Sequence, residues 1–358
     1  MHTVAPWPAG HVTELLRGRH LSVARASYLT GEPGKTRMAD MAPIGLTLLN
    51  DEVEDTGPLW PALAALPRGR AVTIMTHGYR YSPRPPETDP HTHILSFHPR
   101  RDCWKVVSWP RHLHLHRDGA GLGVALGWQA LGQMPRVARR ARRVGHALAP
   151  LIAEIHHRRP DLRINLMGHS LGARVILAAM TAAPAGSVAR VILLTGAEYR
   201  TAARAAMNAP AGRTAEVLNV TSGENAPFDA LFRLAAPPLR PHDRTLCAGV
   251  PGTAGWTDLR IDRAKVRAVM GDLGFRLRPP NTHICHWSGY LRPGLFPLYR
   301  RVLAPEDQGL LAELSARLAA ARIARPSSGL TWPIPRAAPR PRPSTGERRT
   351  LFPPAIAG

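Results

Sequence analysis

Cysteine is scarce in this chain of 358 residues: Cys103, Cys247 and Cys285 are the whole set. Three thiols make no disulfide framework, and none stands in a C-x-x-C pair. A disulfide-stapled secreted scaffold and a cysteine-based zinc site are therefore excluded, and a reducing cytoplasm is the expected compartment. No apolar run is long enough to span a bilayer, so no transmembrane segment is expected. The start, Met1 to Trp7, lacks a basic segment followed by an apolar core, so no secretory signal is expected either. Lysine is as rare as cysteine. Only Lys35, Lys105 and Lys265 occur among 47 basic residues, and acids number 25, giving a net charge of +22.

That charge suggests a nucleic-acid partner, but its make-up argues otherwise. Arginine in such excess beside abundant Ala, Pro and Gly is the signature of a GC-rich coding sequence, and the arginines are scattered. No specific nucleic-acid partner is expected. One concentration, Arg136 to Arg143, lies where Val137, Ala141, Val144, Leu148, Leu151 and Ile155 recur at helical spacing. Those arginines then occupy a solvated outer face, and an anionic-membrane or nucleic-acid patch is the alternative.

At 44% hydrophobic residues, the chain can bury a sizeable core. Residues 1–40 form an irregular arm, 41–324 a folded domain, and 325–358 a basic, proline-rich tail with no regular structure. In that tail Pro339-Arg340-Pro341-Arg342-Pro343 excludes helix and sheet. Within the domain, a first strand near Ala42–Leu49 precedes strand candidates at Ala71–Thr76, Trp104–Trp109, Arg163–Met167, Arg190–Thr195 and Glu216–Thr221. Helices are expected over 123–158, with a break at Pro150, and over 171–183, 259–273 and 306–323. The last of these gathers Leu310, Leu311, Leu314, Leu318 and Ile323 on one side. Strands alternating with helices predict an α/β fold with a mostly parallel central sheet and helices on both faces. Function in such sheets collects at the carboxyl ends of the strands.

The strongest motif is Gly168-His169-Ser170-Leu171-Gly172. A short apolar strand precedes it and an apolar helix follows. In that context the serine sits on a tight, strained turn, with the helix N-terminus behind it to stabilise an oxyanion. The hydrophobic strand Val72–Thr76 ends in His77-Gly78-Tyr79, which places a second N–H donor at the same edge, complementing that of Leu171. His77 precedes the nucleophile and reads as structural. The general base should follow it: His286 is favoured over His283, and His242 belongs to an exposed proline-rich loop. The orienting acid should follow strand Glu216–Thr221. Glu224 is first in line and Asp229 second, with N-capping of the next helix the alternative for either. Asp258 reads as a helix cap. His91, His93, His98, His112, His114 and His116, with Asp89, form a histidine-rich stretch. Alternation at 112, 114 and 116 is compatible with one strand face and a metal, but no carboxylate or cysteine completes the set, so a histidine-rich lid is expected and no metal or cofactor.

Four segments together carry a family resemblance: Thr76-His77-Gly78-Tyr79, Val107-Ser108-Trp109-Pro110, Gly168 to Val175, and His286-Trp287-Ser288. Over roughly residues 44–305 the chain resembles the α/β-hydrolase superfamily, and more narrowly its bacterial esterase-like serine hydrolases. The resemblance implies the α/β-hydrolase fold, with Ser170 as nucleophile, His286 as base, and Gly78 or Tyr79 with Leu171 as oxyanion donors. It departs at the acid. Such families carry an Asp two or three residues beyond Gly223, where this chain has Asn225 and Ala226. The expected activity is hydrolysis of a small carboxylic ester, thioester or amide through an acyl-enzyme on Ser170. The alternative is a non-catalytic scaffold of the same fold that binds a ligand or partner.

Overall fold

The computed structural model describes residues 42–49, 52–117, 119–307 and 309–323. The arm (1–40) and the tail (325–358) lie outside the described residues, as does the side chain of Ile323. In chain order the elements begin with β1 (Ile44–Leu49), β2 (Glu52–Glu54), α1 (Leu59–Ala65), β3 (Ala71–Thr76), α2 (Trp109–His112) and β4 (Leu122–Trp128). There follow α3 (Met134–Arg158), β5 (Arg163–His169), α4 (Leu171–Ala182), β6 (Arg190–Leu194), α5 (Arg200–Asn208) and β7 (Glu216–Thr221). The rest are α6 (Ala226–Ala235), β8 (Trp256–Arg260), α7 (Ala264–Asp272), α8 (Ser288–Leu291), α9 (Leu295–Leu303) and α10 (Leu310–Ile323).

The strands form one sheet in the order β2-β1-β4-β3-β5-β6-β7-β8. Only the β1–β2 edge hairpin is antiparallel. Alternation along each strand divides the interior in two, because successive side chains point to opposite faces. Val191 and Leu193 face a core built with α1, α3, α4 and α5. Ile192 and Leu194 face a second core built with α2, α7, α9 and α10. Both faces are covered, so the fold is α/β, and the inner strands are buried along almost their whole length.

The double burial explains where the sequence misleads. Residues 123–128, expected to open a helix, belong to β4, every residue of it buried. A continuous apolar run has no period by which to distinguish a strand from a helix. Helix α3 starts only at Met134 and runs unbroken through Pro150, which is exposed on its outer face. Leu148, Ala149, Leu151 and Ile152 are buried on either side of it, and that packing holds the two halves in one helix. Trp256–Arg260 is strand β8, not a helix start. Asp258, rather than capping, accepts from Asn219 Nδ2, Val250 N and Trp256 Nε1 inside the sheet edge. Trp104 and Lys105 form a turn, 106–108 are irregular, and Trp109 opens the short α2, capped by Ser108 Oγ accepting from Arg111 N.

Leu193 is fully buried whereas Leu231 on α6 is 63% exposed. Leu193→Ala is expected to lower unfolding free energy by about 3 kcal/mol. Leu231→Ala should stay within about 0.5 kcal/mol. Urea titration of the two variants checks the assignment of the core.

Candidate active site

Strand β5 lies between β3 and β6, so its carboxyl end opens at the middle of the sheet edge. Ser170 follows that end with φ +54° and ψ −120°, a backbone region that ordinary L residues avoid. Hydrogen bonds on both sides hold the strain: Ser170 N donates to Leu194 O at 3.0 Å, and Ala197 N donates to Ser170 O at 2.9 Å. The two glycines of the motif permit the turn. A Cβ on Gly168 would lie 2.8 Å from the Gly172 carbonyl carbon, and one on Gly172 would lie 2.7 Å from His77 O. Gly78 is equally constrained, because a Cβ there would meet Ser170 Cβ at 2.6 Å. The β3 turn therefore lies directly against the serine, with Tyr79 next in line. Leu171 is the first residue of α4, where a helix leaves its N–H without an intrahelical acceptor.

His286 closes on the serine. Ser170 Oγ donates to His286 Nε2 at 2.9 Å. On the other side of the ring, Nδ1–H donates to Asn225 Oδ1 at 2.6 Å. That amide oxygen can only accept, so it fixes the tautomer that leaves the Nε2 lone pair facing the hydroxyl. The backbone of His286 is pinned as well: its carbonyl accepts from His169 Nε2 at 3.0 Å and from Thr195 Oγ1 at 2.8 Å. Thr195 itself sits at φ +42°, a second strained residue one strand over. Phe228 of α6 stacks on the imidazole at 4.8 Å, and the His169 ring lies 4.6 Å away. Burial, then the His169 ring, then the charge of Lys105 push the His286 pKa well below its ordinary value.

Neither candidate acid reaches the imidazole. Glu224 is buried, and its carboxylate forms an ion pair with the equally buried Arg292 and accepts from Ser222 Oγ at 2.6 Å. Arg292 also donates to Ile261 O, and Glu224 O accepts from Cys285 N. Glu224 thus clamps the β7 loop to the loop that carries His286; Asn225, its neighbour, is the one that turns inward. Asp229 accepts from Thr245 Oγ1 at 2.5 Å, and burial raises its pKa. His283 is exposed and outside the cluster, and so is His242. His77 is buried: Nε2 accepts from Trp128 N, Nδ1 donates to Gly78 O, and burial lowers its pKa to about 3. It ties the β3 turn to β4.

The histidine-rich stretch is not a strand face. Helix α2 ends at His112, and the chain turns with His114 at φ +61°. His91 and His116 line a cavity of about 400 Å³ that includes neither Ser170 nor His286. Among the described residues, no three His, Cys, Asp or Glu side chains come together in an arrangement that could hold a metal ion. The signal for Asn225 was visible in the sequence as the residue standing where an acid was expected. Nothing in the sequence marked His169 and Thr195 as supports for His286. No family model matches this chain, and no curated protein matches it in sequence.

Replacing Glu224 by Gln leaves Arg292 buried without its counter-charge and is expected to cost about 3 kcal/mol of stability, read from denaturant midpoints. A second expectation concerns pH. Burial holds His77 at about 3 and His169 at about 4, against 6.5 for an unburied imidazole. Both folded values are depressed, so their contribution is complete above pH 6.5 and is lost as pH falls towards 4. Each histidine should contribute about 2 kcal/mol to a drop in stability between pH 7 and 4.5. His169→Gln should shrink that drop, measured by urea titration at the two pH values.

Proposed function

We propose that this chain is a serine hydrolase of the α/β-hydrolase fold that cleaves small carboxylic esters through an acyl-enzyme. The single observation that carries the reading is the aligned chain Ser170 Oγ–His286 Nε2, His286 Nδ1–Asn225 Oδ1. An isolated serine hydroxyl is a weak nucleophile, and a neutral imidazole at hydrogen-bond distance is what activates it. The strained turn after β5, the β3 turn against it and a base supplied after β8 follow the order this fold uses.

In the first half-reaction, Ser170 Oγ attacks the ester carbonyl while its proton passes to His286 Nε2. The N–H groups of Leu171 and of Gly78 or Tyr79 hold the oxyanion. The imidazolium returns that proton to the departing alkoxide, leaving Ser170 acylated. Water then attacks the acyl group, gives a proton to His286, and the acid leaves with Ser170 restored. Asn225 orients the ring but brings no negative charge to stabilise the imidazolium. The amide in place of an acid also favours a second reading, a non-catalytic binding scaffold. The three cysteines are free thiols, which fits a reducing compartment. Among the described residues, no helix is long and apolar enough to cross a membrane.

Fluorophosphonate labelling separates the two readings. A covalent adduct on Ser170, absent in Ser170→Ala, is expected. A wild-type protein that takes no label and leaves p-nitrophenyl acetate untouched is a scaffold. Asn225→Asp introduces a carboxylate beside Nδ1, which favours the imidazolium and raises the His286 pKa. Turnover of p-nitrophenyl acetate should rise by roughly tenfold or more. The acidic limb of its pH–rate profile should move to higher pH, since the base must be neutral to act.

A further inference from the structure

The site described above has a charge deficit. A serine–histidine pair normally works beside a fixed negative charge, which lowers the cost of forming the imidazolium. Here the carboxylates of the surrounding loops are committed elsewhere. Glu224 is paired with Arg292, Asp229 is held by Thr245, and Asp102 is paired with His93 and Arg100. From β5 the imidazole faces the His169 ring, from the β7–α6 loop the neutral Asn225, from α6 Phe228, and from its own loop Trp287.

A cation stands at the same place. Lys105 Nζ lies 3.9 Å from the centroid of the Trp287 ring and 5.7 Å from that of Trp104. Trp287 in turn lies 5.9 Å from the His286 ring. These spans keep the ammonium within about 10 Å of the imidazole, roughly one Debye length. Among the described residues, no carboxylate pairs with Lys105. Two indole faces hold the ammonium in place by cation–π attraction without neutralising it. Trp104 is 68% exposed, so this corner opens to solvent at the rim of the site.

Building on the hydrolase reading, we propose that Lys105 is an anion-recognition group, and that the substrates are esters carrying a carboxylate, which supplies at the site the negative charge that Asn225 does not. A carboxylate paired with Lys105 removes the charge that opposes protonation of His286. Anionic substrates therefore gain twice, in binding and in formation of the imidazolium, whereas a neutral isostere meets an uncompensated ammonium. The covalent step is unchanged: the bound carboxylate takes no proton and forms no bond.

Two pairs of esters test this. Mono-p-nitrophenyl adipate against methyl p-nitrophenyl adipate puts the charge on the acyl side. 4-Carboxyphenyl hexanoate against 4-carbamoylphenyl hexanoate puts it on the alcohol side. The wild-type protein should favour the anionic member of at least one pair by roughly tenfold in kcat/KM, the scale of one partly screened ion pair. The pair that responds shows which side carries the carboxylate. Lys105→Met should bring that ratio down close to the uncatalysed one, and Lys105→Arg should keep part of it. Asn225→Asp, which brings its own charge, should raise kcat on the neutral ester and narrow the preference. Calorimetry of adipate with Ser170→Ala measures the anion site apart from turnover. Binding should weaken roughly tenfold when Lys105→Met is added. Wild-type protein that takes the fluorophosphonate label yet shows no charge preference in either pair overturns the Lys105 assignment and leaves the hydrolase reading standing. Protein that takes no label but binds adipate through Lys105 overturns the hydrolase reading and keeps the anion site. No adipate binding and no preference ends the proposal outright.

Discussion

The strained backbone of Ser170 is the constraint on which the site depends. Its positive φ directs the hydroxyl away from the sheet and towards the loops beyond the carboxyl edge. That conformation persists only because the surroundings overdetermine it. Ser170 is bonded through N to β6 and through O to Ala197, and Gly168, Gly172 and Gly78 let three backbone segments meet without side chains between them. A parallel sheet aligns the ends of β3, β5, β6 and β7 at one edge, so the Gly78 turn, Ser170, Thr195 and the Asn225 loop converge there.

The second level of order is electrostatic. Burial keeps His77 and His169 neutral, so each can serve as a directional hydrogen-bond donor rather than as a charge. The buried Glu224–Arg292 pair locks two loops together, and in doing so it withdraws the one carboxylate that adjoins Asn225 in sequence. A buried pair of this kind is weak as net stabilisation but strong as a geometric restraint, since neither partner can leave without stranding the other. The result is a hydrogen-bonded serine–histidine pair with a neutral amide behind it and an ammonium within about 10 Å.

The elements legible in the sequence were those whose signals are local. β3, β5 and β7 lie where apolar runs bounded by turn residues were expected, and α4 starts at the residue after Ser170. β4 and β8 were not legible. β4 is buried on both faces and so shows no alternation. Trp256–Arg260 is too short, and too mixed in polarity, to be distinguished from a helix cap. The run Trp104–Trp109 has a strand's composition but forms a turn and an irregular lead into α2, and the histidines at 112, 114 and 116 keep an alternation that the backbone does not follow.

The sequence by itself determined the strained turn at Ser170 and the strand that packs against it, because strand, glycine-bounded turn and helix are dictated by neighbouring residues. Only the tertiary structure decided which imidazole meets Ser170 and what stands behind it. His286 is 116 positions from Ser170, and Asn225 is 61 from His286, so no local pattern can register either contact. The choice of Asn225 over Glu224 was made by Arg292, a residue 68 positions from Glu224, which captures the carboxylate and leaves the amide facing the ring.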